Sequence, residues 1–268
     1  MVKNILITGF SGKLGNFVAP YLQDKGYNIV GTDIVLPNPE SENAKRRIPF
    51  VKADLLNIGD LMKAIAMAQP DVIIHLGAIP FNSELQPPYD TTPKKGPSLD
   101  GVRSNYSMPE DNTMNINTMG MFYILDAARR MGVKNVIAAT SYFSYGLGFS
   151  LSGEPFVPEY LPIDEEHPCW PEDTYSLSKY LGEEIMKAFT RAYDMNTVAM
   201  RLMGVYYHDM ERSRAMYDLG QGQSYPETPE DGVITGNTYQ YVDARDIAVF
   251  TGLAIDKLGK LPNQYEAF

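Results

Sequence analysis

Short runs of apolar residues alternate along the chain with stretches in which apolar residues recur every three or four positions. The runs lack polar alternation, which is typical of strands buried on both faces of a parallel sheet. They predict strands at residues 3–8, 27–33, 48–54, 71–78, 135–140 and 196–202. The amphipathic stretches predict helices at residues 13–25, 58–68, 110–131 and 174–193. This strand–helix rhythm predicts an α/β fold built on a Rossmann-type doubly wound parallel sheet.

Two stretches interrupt this rhythm, residues 79–108 and residues 203–236. They lack the helix and strand periodicities, and the first is rich in residues that favour turns. Both follow predicted strands, and open α/β sheets bind ligands at the carboxyl ends of their strands. We therefore expect a single Rossmann-type domain over residues 1–268, with the two stretches as substrate-binding insertions.

Charge and composition narrow the possible partners. The 268 residues carry a formal net charge of −10 at pH 7, which disfavours nucleic acid and anionic membranes because both are polyanions. The single cysteine excludes an intrachain disulfide. The apolar start is too short for a signal peptide, and no run approaches a membrane span. We expect a soluble, cytoplasmic protein. We expect no metal site, because His167 and His208 are scattered without ligand-like spacing, and we expect His75 to pack at a strand end rather than to take part in catalysis.

A glycine-rich turn links the first predicted strand to the first predicted helix. Gly9, Gly12 and Gly15 let the chain turn tightly, and free amides at the helix start attract phosphate. The first gap is one residue wider than in the strict G-x-G-x-x-G fingerprint. A turn that only packs helix on strand is the alternative. The predicted cofactor contacts in this loop are Gly9, Gly12, Lys13, Leu14 and Gly15.

An acidic residue, Asp33, stands at the end of the second predicted strand, 18 residues after Gly15. At this place a carboxylate accepts hydrogen bonds from the ribose hydroxyls of NAD and repels the 2′-phosphate of NADP. The position favours NAD as the cofactor. NADP stays open, because Lys13 in the loop could face that phosphate instead.

A tyrosine and a lysine four positions apart, Tyr175 and Lys179, open the predicted helix 174–193. Residues at this spacing are neighbours on a helix surface, so the ammonium can lie close to the phenol. A cation about 4 Å away can stabilise a phenolate by roughly 4 kcal/mol at an effective dielectric near 20. Tyr21 and Lys25 have the same spacing, so spacing alone does not decide which pair is chemical.

With strand, glycine loop, Asp33 and Tyr-x-x-x-Lys helix in this order, the chain resembles the short-chain dehydrogenase/reductase superfamily. Its extended branch, the NAD-dependent epimerase/dehydratase family, is the closer match. Further stretches resemble motifs of that branch across nearly the whole chain: ADLLN, IIHLGAIP, NINTMGMFYILDAAR, AATSYFSYG, YSLSKYLGEE and YVDARDIA. Tyr21 and Lys25 have no serine-bearing strand before them, so Tyr175 and Lys179 are the predicted catalytic pair.

The resemblance implies roles for residues at the matching positions. Tyr175 would exchange a proton with the substrate oxygen, and Ser141 would hydrogen-bond that oxygen. Lys179 would bind the nicotinamide ribose and, with the positively charged oxidised ring, lower the pKa of the tyrosine. Asn117 is the motif asparagine of its helix, and could simply tie strands together. The cofactor contacts that the resemblance adds to the glycine loop and Asp33 are Asp54, Leu55, Leu76, Gly77, Ala78, Asn117, Tyr175 and Lys179.

The residues after Ser141 bear on the reaction. Dehydratases of the family usually carry an Asp-Glu pair there, whereas this chain has Tyr142 and Phe143. We therefore expect no sugar 4,6-dehydratase. An NAD-dependent epimerase or oxidoreductase that acts on a sugar, a sugar acid or a nucleotide sugar is expected instead.

Three points are left open. The C-terminal substrate-binding portion looks small and shortened, which favours a uronate-type dehydrogenase over a nucleotide-sugar epimerase. Some superfamily members bind the dinucleotide as redox sensors or scaffolds without turnover, although these commonly lose the tyrosine or the lysine. Helices 110–131 and 174–193 resemble the pair through which many relatives dimerise, so a homodimer is expected.

Overall fold

The computed structural model describes residues 3–82, 111–154, 156–207 and 241–268. Its strands are β1 (Asn4–Thr8), β2 (Asn28–Asp33), β3 (Phe50–Lys52), β4 (Val72–His75), β5 (Asn135–Ser141), β6 (Asn196–Leu202), β7 (Gly204–Tyr206), β8 (Tyr241–Asp243) and β9 (Tyr265–Ala267). Seven of them form one sheet in the order β3-β2-β1-β4-β5-β6-β9, while β7 and β8 form a separate pair. All pairings are parallel. The first six strands have the Rossmann order, which confirms the predicted fold class.

Helices cover both faces of the sheet. They are α1 (Gly15–Asp24), α2 (Glu42–Lys45), α3 (Ile58–Ala68), α4 (Asn112–Met114), α5 (Gly120–Arg130), α6 (Thr174–Tyr193) and α7 (Ala244–Lys257). Successive side chains of a strand point to opposite faces. Accordingly, Leu6 of β1 packs in the core that α3, α5 and α6 cover, whereas Ile5 and Ile7 pack in the core beneath α1 and α7.

Several predicted elements differ in length from those observed. The strand predicted at 71–78 ends at His75, because the amide of Gly77 donates to the Thr8 hydroxyl at 3.2 Å and the chain leaves the sheet. The strand predicted at 48–54 is reduced to Phe50–Lys52. The helix predicted at 110–131 is not one regular α-helix, since a π-helical segment, Asn115–Met119, separates α4 from α5.

Most of both predicted insertions lies outside the described residues. Of residues 79–108, the structure describes 79–82, and of residues 203–236 it describes 203–207. The second stretch is not irregular from its start, because Gly204–Tyr206 forms β7. Within the described ranges, no helix combines the length and apolar character that crossing a membrane requires.

Candidate active site

The glycine loop between β1 and α1 is packed so closely that side chains would not fit. Gly9 has φ +67°, and a Cβ built on it would lie 2.5 Å from the amide nitrogen of Gly77. A Cβ on Gly15 would lie 2.6 Å from the carbonyl oxygen of Phe10, and one on Gly12 would lie 3.1 Å from the carbonyl oxygen of Gly9. The loop thus presents bare backbone next to the start of α1, and this arrangement fits a pyrophosphate.

Gly9→Ala is expected to weaken NAD binding at least tenfold and to destabilise the fold, because the new methyl group collides with the Gly77 backbone. The matched control is Gly26→Ala. Gly26 also has a positive φ, +87°, but nothing lies within 4 Å of its added Cβ, so this variant carries only the backbone strain of roughly 1–2 kcal/mol. Isothermal titration and thermal unfolding of both variants test this expectation. Equal NAD affinity in the two variants would contradict it.

Asp33 ends β2 beside this loop. Its carboxylate accepts hydrogen bonds from the backbone amides of Ser11, at 3.0 Å, and Val35, at 3.2 Å. These contacts hold the carboxylate against the loop. A carboxylate has about four acceptor positions, so two amide donors leave capacity for ribose hydroxyls.

Asp54 and Leu55 follow β3 and reach the same edge of the sheet. Asp54 accepts from the amide of Leu56 at 2.9 Å. The Leu55 side chain lies 3.0 Å from a Cβ built on Gly77 and 3.3 Å from one built on Gly120. The structure therefore brings the Asp-Leu segment close to the segment of Leu76, Gly77 and Ala78 after β4, and contact of these residues with an adenosine stays a prediction.

The structure brings the three predicted catalytic residues together. Ser141 is the last residue of β5, and Tyr175 and Lys179 lie one turn apart at the start of α6. The Ser141 hydroxyl is hydrogen-bonded to Tyr175. The Lys179 ammonium donates to the carbonyl oxygen of Ala139 at 3.0 Å and lies 5.8 Å from the centre of the Tyr175 ring.

Capping fixes where α6 begins. Asp173 accepts from the Ser176 amide at 2.9 Å and from the Ser176 hydroxyl at 2.6 Å. Such an N-cap satisfies amides that have no partner within the helix. Because Tyr175 lies in this first turn, the cap also fixes the position of its backbone.

Burial shifts the pKa values of Tyr175 and Lys179, the two titratable residues among the three predicted catalytic residues. Burial raises the pKa of Tyr175 to about 12, while the hydrogen bond to Ser141 acts to lower it. Burial lowers the pKa of Lys179 to about 8. The resemblance implied that Lys179, together with the oxidised nicotinamide ring, lowers the pKa of the tyrosine. In the protein alone desolvation of the phenolate dominates, and the combined effect of the lysine and the ring stays a prediction.

Asn117 ties three elements together. Its side-chain oxygen accepts from the Ile79 amide at 2.8 Å, and its amide group donates to the Ile79 carbonyl at 3.0 Å and to the Ser178 hydroxyl at 3.0 Å. Both of its N–H donors are used inside the protein. The buried side chain therefore fastens the segment after β4 to α6, which agrees with its predicted tying role, and its contact with a cofactor stays a prediction.

His75 is a buried, neutral residue at the end of β4. Its Nδ1 lies 2.7 Å from the Thr8 hydroxyl, and burial together with the charge of Lys179 lowers its pKa to about 3. As expected from the sequence, it packs at the strand end. Within the described ranges, no group of three potential ligands is placed to hold a metal ion.

Sequence reasoning missed Asn82, which holds the backbone of the candidate proton donor. Its side-chain oxygen accepts from the Tyr175 amide at 2.8 Å. The preceding residue, Phe81, accepts at its carbonyl from the Thr113 hydroxyl at 2.7 Å. We call Phe81, Asn82 and Thr113 the neck of the first predicted insertion, because their hydrogen bonds hold described residues on either side of the stretch 83–110. These contacts join residues far apart in sequence, so no local pattern could have revealed them.

A buried ion pair links α6 to the end of β6. Arg201 donates to the Glu183 carboxylate at 2.8 Å, and the two side chains are 7% and 0% exposed. Arg201 also donates to the Tyr145 hydroxyl at 2.8 Å, and the Tyr265 hydroxyl of β9 donates to Glu183 at 3.0 Å. Helix α6, the segment after Ser141 and strand β9 are thus held by one network.

Comparison with known proteins identifies a family and several relatives to which the chain is similar. The model of the "NAD dependent epimerase/dehydratase family" matches residues 5–89 and 99–266. The chain is 30% identical over 203 residues to a putative UDP-glucose 4-epimerase of Methanocaldococcus jannaschii, which covers 75% of this chain and 56% of that protein. It is 25% identical over 212 residues to a uronate dehydrogenase of Pseudomonas syringae pv. tomato, which covers 79% of this chain and 62% of that protein.

Solved structures show the same fold. A UDP-glucose 4-epimerase from Brucella ovis in complex with NAD superimposes with a TM-score of 0.70 at 23% identity, covering 99% of this chain and 76% of that chain. The chain spans only a little over half the length of the first curated relative, 56%.

Proposed function

Because the chain belongs to the NAD-dependent epimerase/dehydratase family, we propose that it is an NAD-dependent oxidoreductase or epimerase of a sugar, a sugar acid or a nucleotide sugar. The observation that carries this proposal is the hydrogen bond between Ser141 and Tyr175, one helical turn from the Lys179 ammonium. These groups are the set that moves a proton on and off a substrate oxygen. Their place at the carboxyl end of β5, next to the glycine loop, supports a reaction at a bound dinucleotide.

The cofactor is NAD, for which the family is named. Gly9, Gly12 and Gly15 would hold its pyrophosphate, and Asp33 would accept from its ribose. When bound, NAD supplies a hydride acceptor and, in its oxidised form, a positive charge. The Asp33 carboxylate favours NAD over NADP, since it would repel a 2′-phosphate.

Residues of the chain would transfer the proton, hold the reacting oxygen and position the segments around it. As a phenolate, Tyr175 would take the proton of the substrate hydroxyl as hydride leaves the carbon, and would return it in the reverse direction. Lys179 and the positive charge of oxidised NAD would together lower the pKa of the tyrosine so that this phenolate can form. The Ser141 hydroxyl holds the reacting oxygen beside that phenol. Lys179 holds a positive charge near Tyr175, and Asn117 and Asn82 fix the segments on either side.

Two substrate classes fit this chemistry. The M. jannaschii relative favours a nucleotide sugar and an epimerisation, in which the carbon is oxidised and then reduced on the other face. The P. syringae relative favours a uronate and a net oxidation. Tyr142 and Phe143 after Ser141 argue against a 4,6-dehydratase, because neither is a carboxylic acid that could carry the proton of an elimination. All three catalytic positions are filled, and this argues against a sensor without turnover.

The experiment that tests the proposal incubates the purified chain with NAD and, separately, glucuronate, galacturonate and UDP-glucose. A dehydrogenase is expected to form NADH, measured at 340 nm. An epimerase is expected to form the epimeric sugar, measured by NMR, without net NADH. Tight NAD binding with neither product in any reaction would contradict an enzymatic role on these substrates.

We also propose a homodimer in which α5 and α6 meet their copies. These helices expose apolar side chains: Phe122 is 38% exposed and Tyr193 is 45% exposed. Exposed apolar groups on adjacent helices are suited to burial between subunits.

A further inference from the structure

Tyr207, directly after β7, packs against the cofactor loop. Its ring centre lies 5.7 Å from that of Phe17 in the first turn of α1. The ammonium of Lys13, within the glycine loop, lies 6.0 Å from the centre of the same ring. Tyr207, from the C-terminal half of the chain, thus reaches the loop that would hold a pyrophosphate.

The same side chain also interacts electrostatically with the candidate proton-transfer group. Burial raises the pKa of Tyr207 to about 12, and the phenol of Tyr175 raises it further in the same direction. Tyr207 therefore contacts the glycine loop and is within electrostatic reach of Tyr175.

A bound dinucleotide must extend from the glycine loop to Tyr175. Its pyrophosphate lies at the loop and the helix start, and its nicotinamide must reach the carbon beside Tyr175 for hydride transfer. We propose that Tyr207 contacts the cofactor between the pyrophosphate and the nicotinamide, with its hydroxyl donating to an oxygen of that part, and so sets cofactor affinity. This inference rests on the proposed function for the presence of NAD, and it assigns Tyr207 no part in proton transfer.

The chemistry of the side chain suits this role. A phenol combines a flat apolar face, which packs on Phe17, with a hydroxyl that donates to anionic or ribose oxygens. Lys13 beside the ring adds positive charge at the same place. An aromatic ring that only filled space would not need the hydroxyl, so replacement by phenylalanine separates the two roles.

The test measures binding of NAD and of AMP to the full chain by isothermal titration without substrate. AMP shares the adenosine end of NAD but lacks the part that Tyr207 is proposed to contact. Tyr207→Phe is expected to raise the Kd for NAD about threefold to tenfold, the loss typical of one hydrogen bond. Tyr207→Ala is expected to raise it more than tenfold, and the Kd for AMP is expected to stay unchanged in both.

Tyr206→Ala is the matched control. Neighbouring side chains of an extended chain point in opposite directions, and Tyr206 interacts electrostatically with Arg245. The Tyr206→Ala variant is expected to bind NAD like the wild type. If thermal unfolding shows that Tyr207→Ala does not fold, the NAD affinity of Tyr207→Phe alone tests the inference.

Two results would overturn the inference: NAD affinity in the Tyr207→Phe variant within twofold of the wild type, or an equal loss of AMP affinity, which would indicate a general disturbance of the loop. A wild-type chain that binds NAD but turns over no sugar would refute the proposed function and leave this inference intact. A wild-type chain that binds no NAD would refute both.

Discussion

Tyr175→Phe is expected to lower kcat about 10²- to 10⁴-fold, the range that a positioned acid–base group contributes. The substitution removes only the phenol oxygen, which is hydrogen-bonded to Ser141. The ring itself stays in place, where it packs edge-on against Phe143 at 6.2 Å. The fold and the glycine loop should therefore be preserved, and the Kd for NAD is expected to rise by no more than about tenfold, the most that the loss of one hydrogen bond typically costs.

The measurement compares kcat, NAD affinity and the unfolding temperature of the variant with those of the wild type. The chain offers a matched control in Tyr21→Phe, because Tyr21 and Lys25 repeat the spacing of the proposed catalytic pair, Tyr175 and Lys179. The Lys25 ammonium lies 5.4 Å from the centre of the Tyr21 ring, yet the pair lies in and just after α1. This control is expected to keep wild-type turnover. Undiminished turnover in Tyr175→Phe would remove the proton-transfer role from this residue.

The second large effect is expected on stability. Arg201→Met should lower the free energy of unfolding by about 3–5 kcal/mol, the cost of removing one partner of a buried ion pair. The variant leaves the Glu183 carboxylate, which is 0% exposed, without its main counter-charge. It also removes the donor to the Tyr145 hydroxyl. Urea unfolding monitored by circular dichroism measures the difference.

An exposed ion pair of the same chain provides the comparison. Lys134 and Asp194 are 58% and 69% exposed, and Lys134→Met is expected to cost no more than about 1 kcal/mol. Replacing both partners, Glu183→Gln with Arg201→Met, should recover part of the loss, because no buried charge is left unpaired. Similar stabilities for Arg201→Met and Lys134→Met would show that the buried network contributes little.

The backbone of the fold was largely predictable because burial leaves a strong periodic signal. The ranges predicted at 58–68, 174–193 and 196–202 match the observed α3, α6 and β6. Short elements such as α2 and β7 were missed, because three or four residues cannot establish a period. The π-helical segment at Asn117 was missed for another reason: its geometry serves contacts with Ile79 and Ser178, which lie far away in sequence.

The site was predictable where a motif fixes both residue type and local geometry. Gly9, Ser141, Tyr175 and Lys179 belong to such motifs, and the structure places them at one edge of the sheet. Asn82 and Tyr207 carry no motif, because their contacts are with residues far away in sequence. The direction in which the pKa of Tyr175 shifts could not be predicted either, because burial, and not the spacing to Lys179, determines it.

The neck formed by Phe81, Asn82 and Thr113 has a consequence for changes in chain length. Its hydrogen bonds fix residues on both sides of the stretch 83–110, and one of them holds the backbone of Tyr175. Closing a longer loop costs only about 0.6 kcal/mol for each doubling of its length. We therefore expect that insertions between Asn82 and Thr113 cost little stability and leave the backbone of Tyr175 in place.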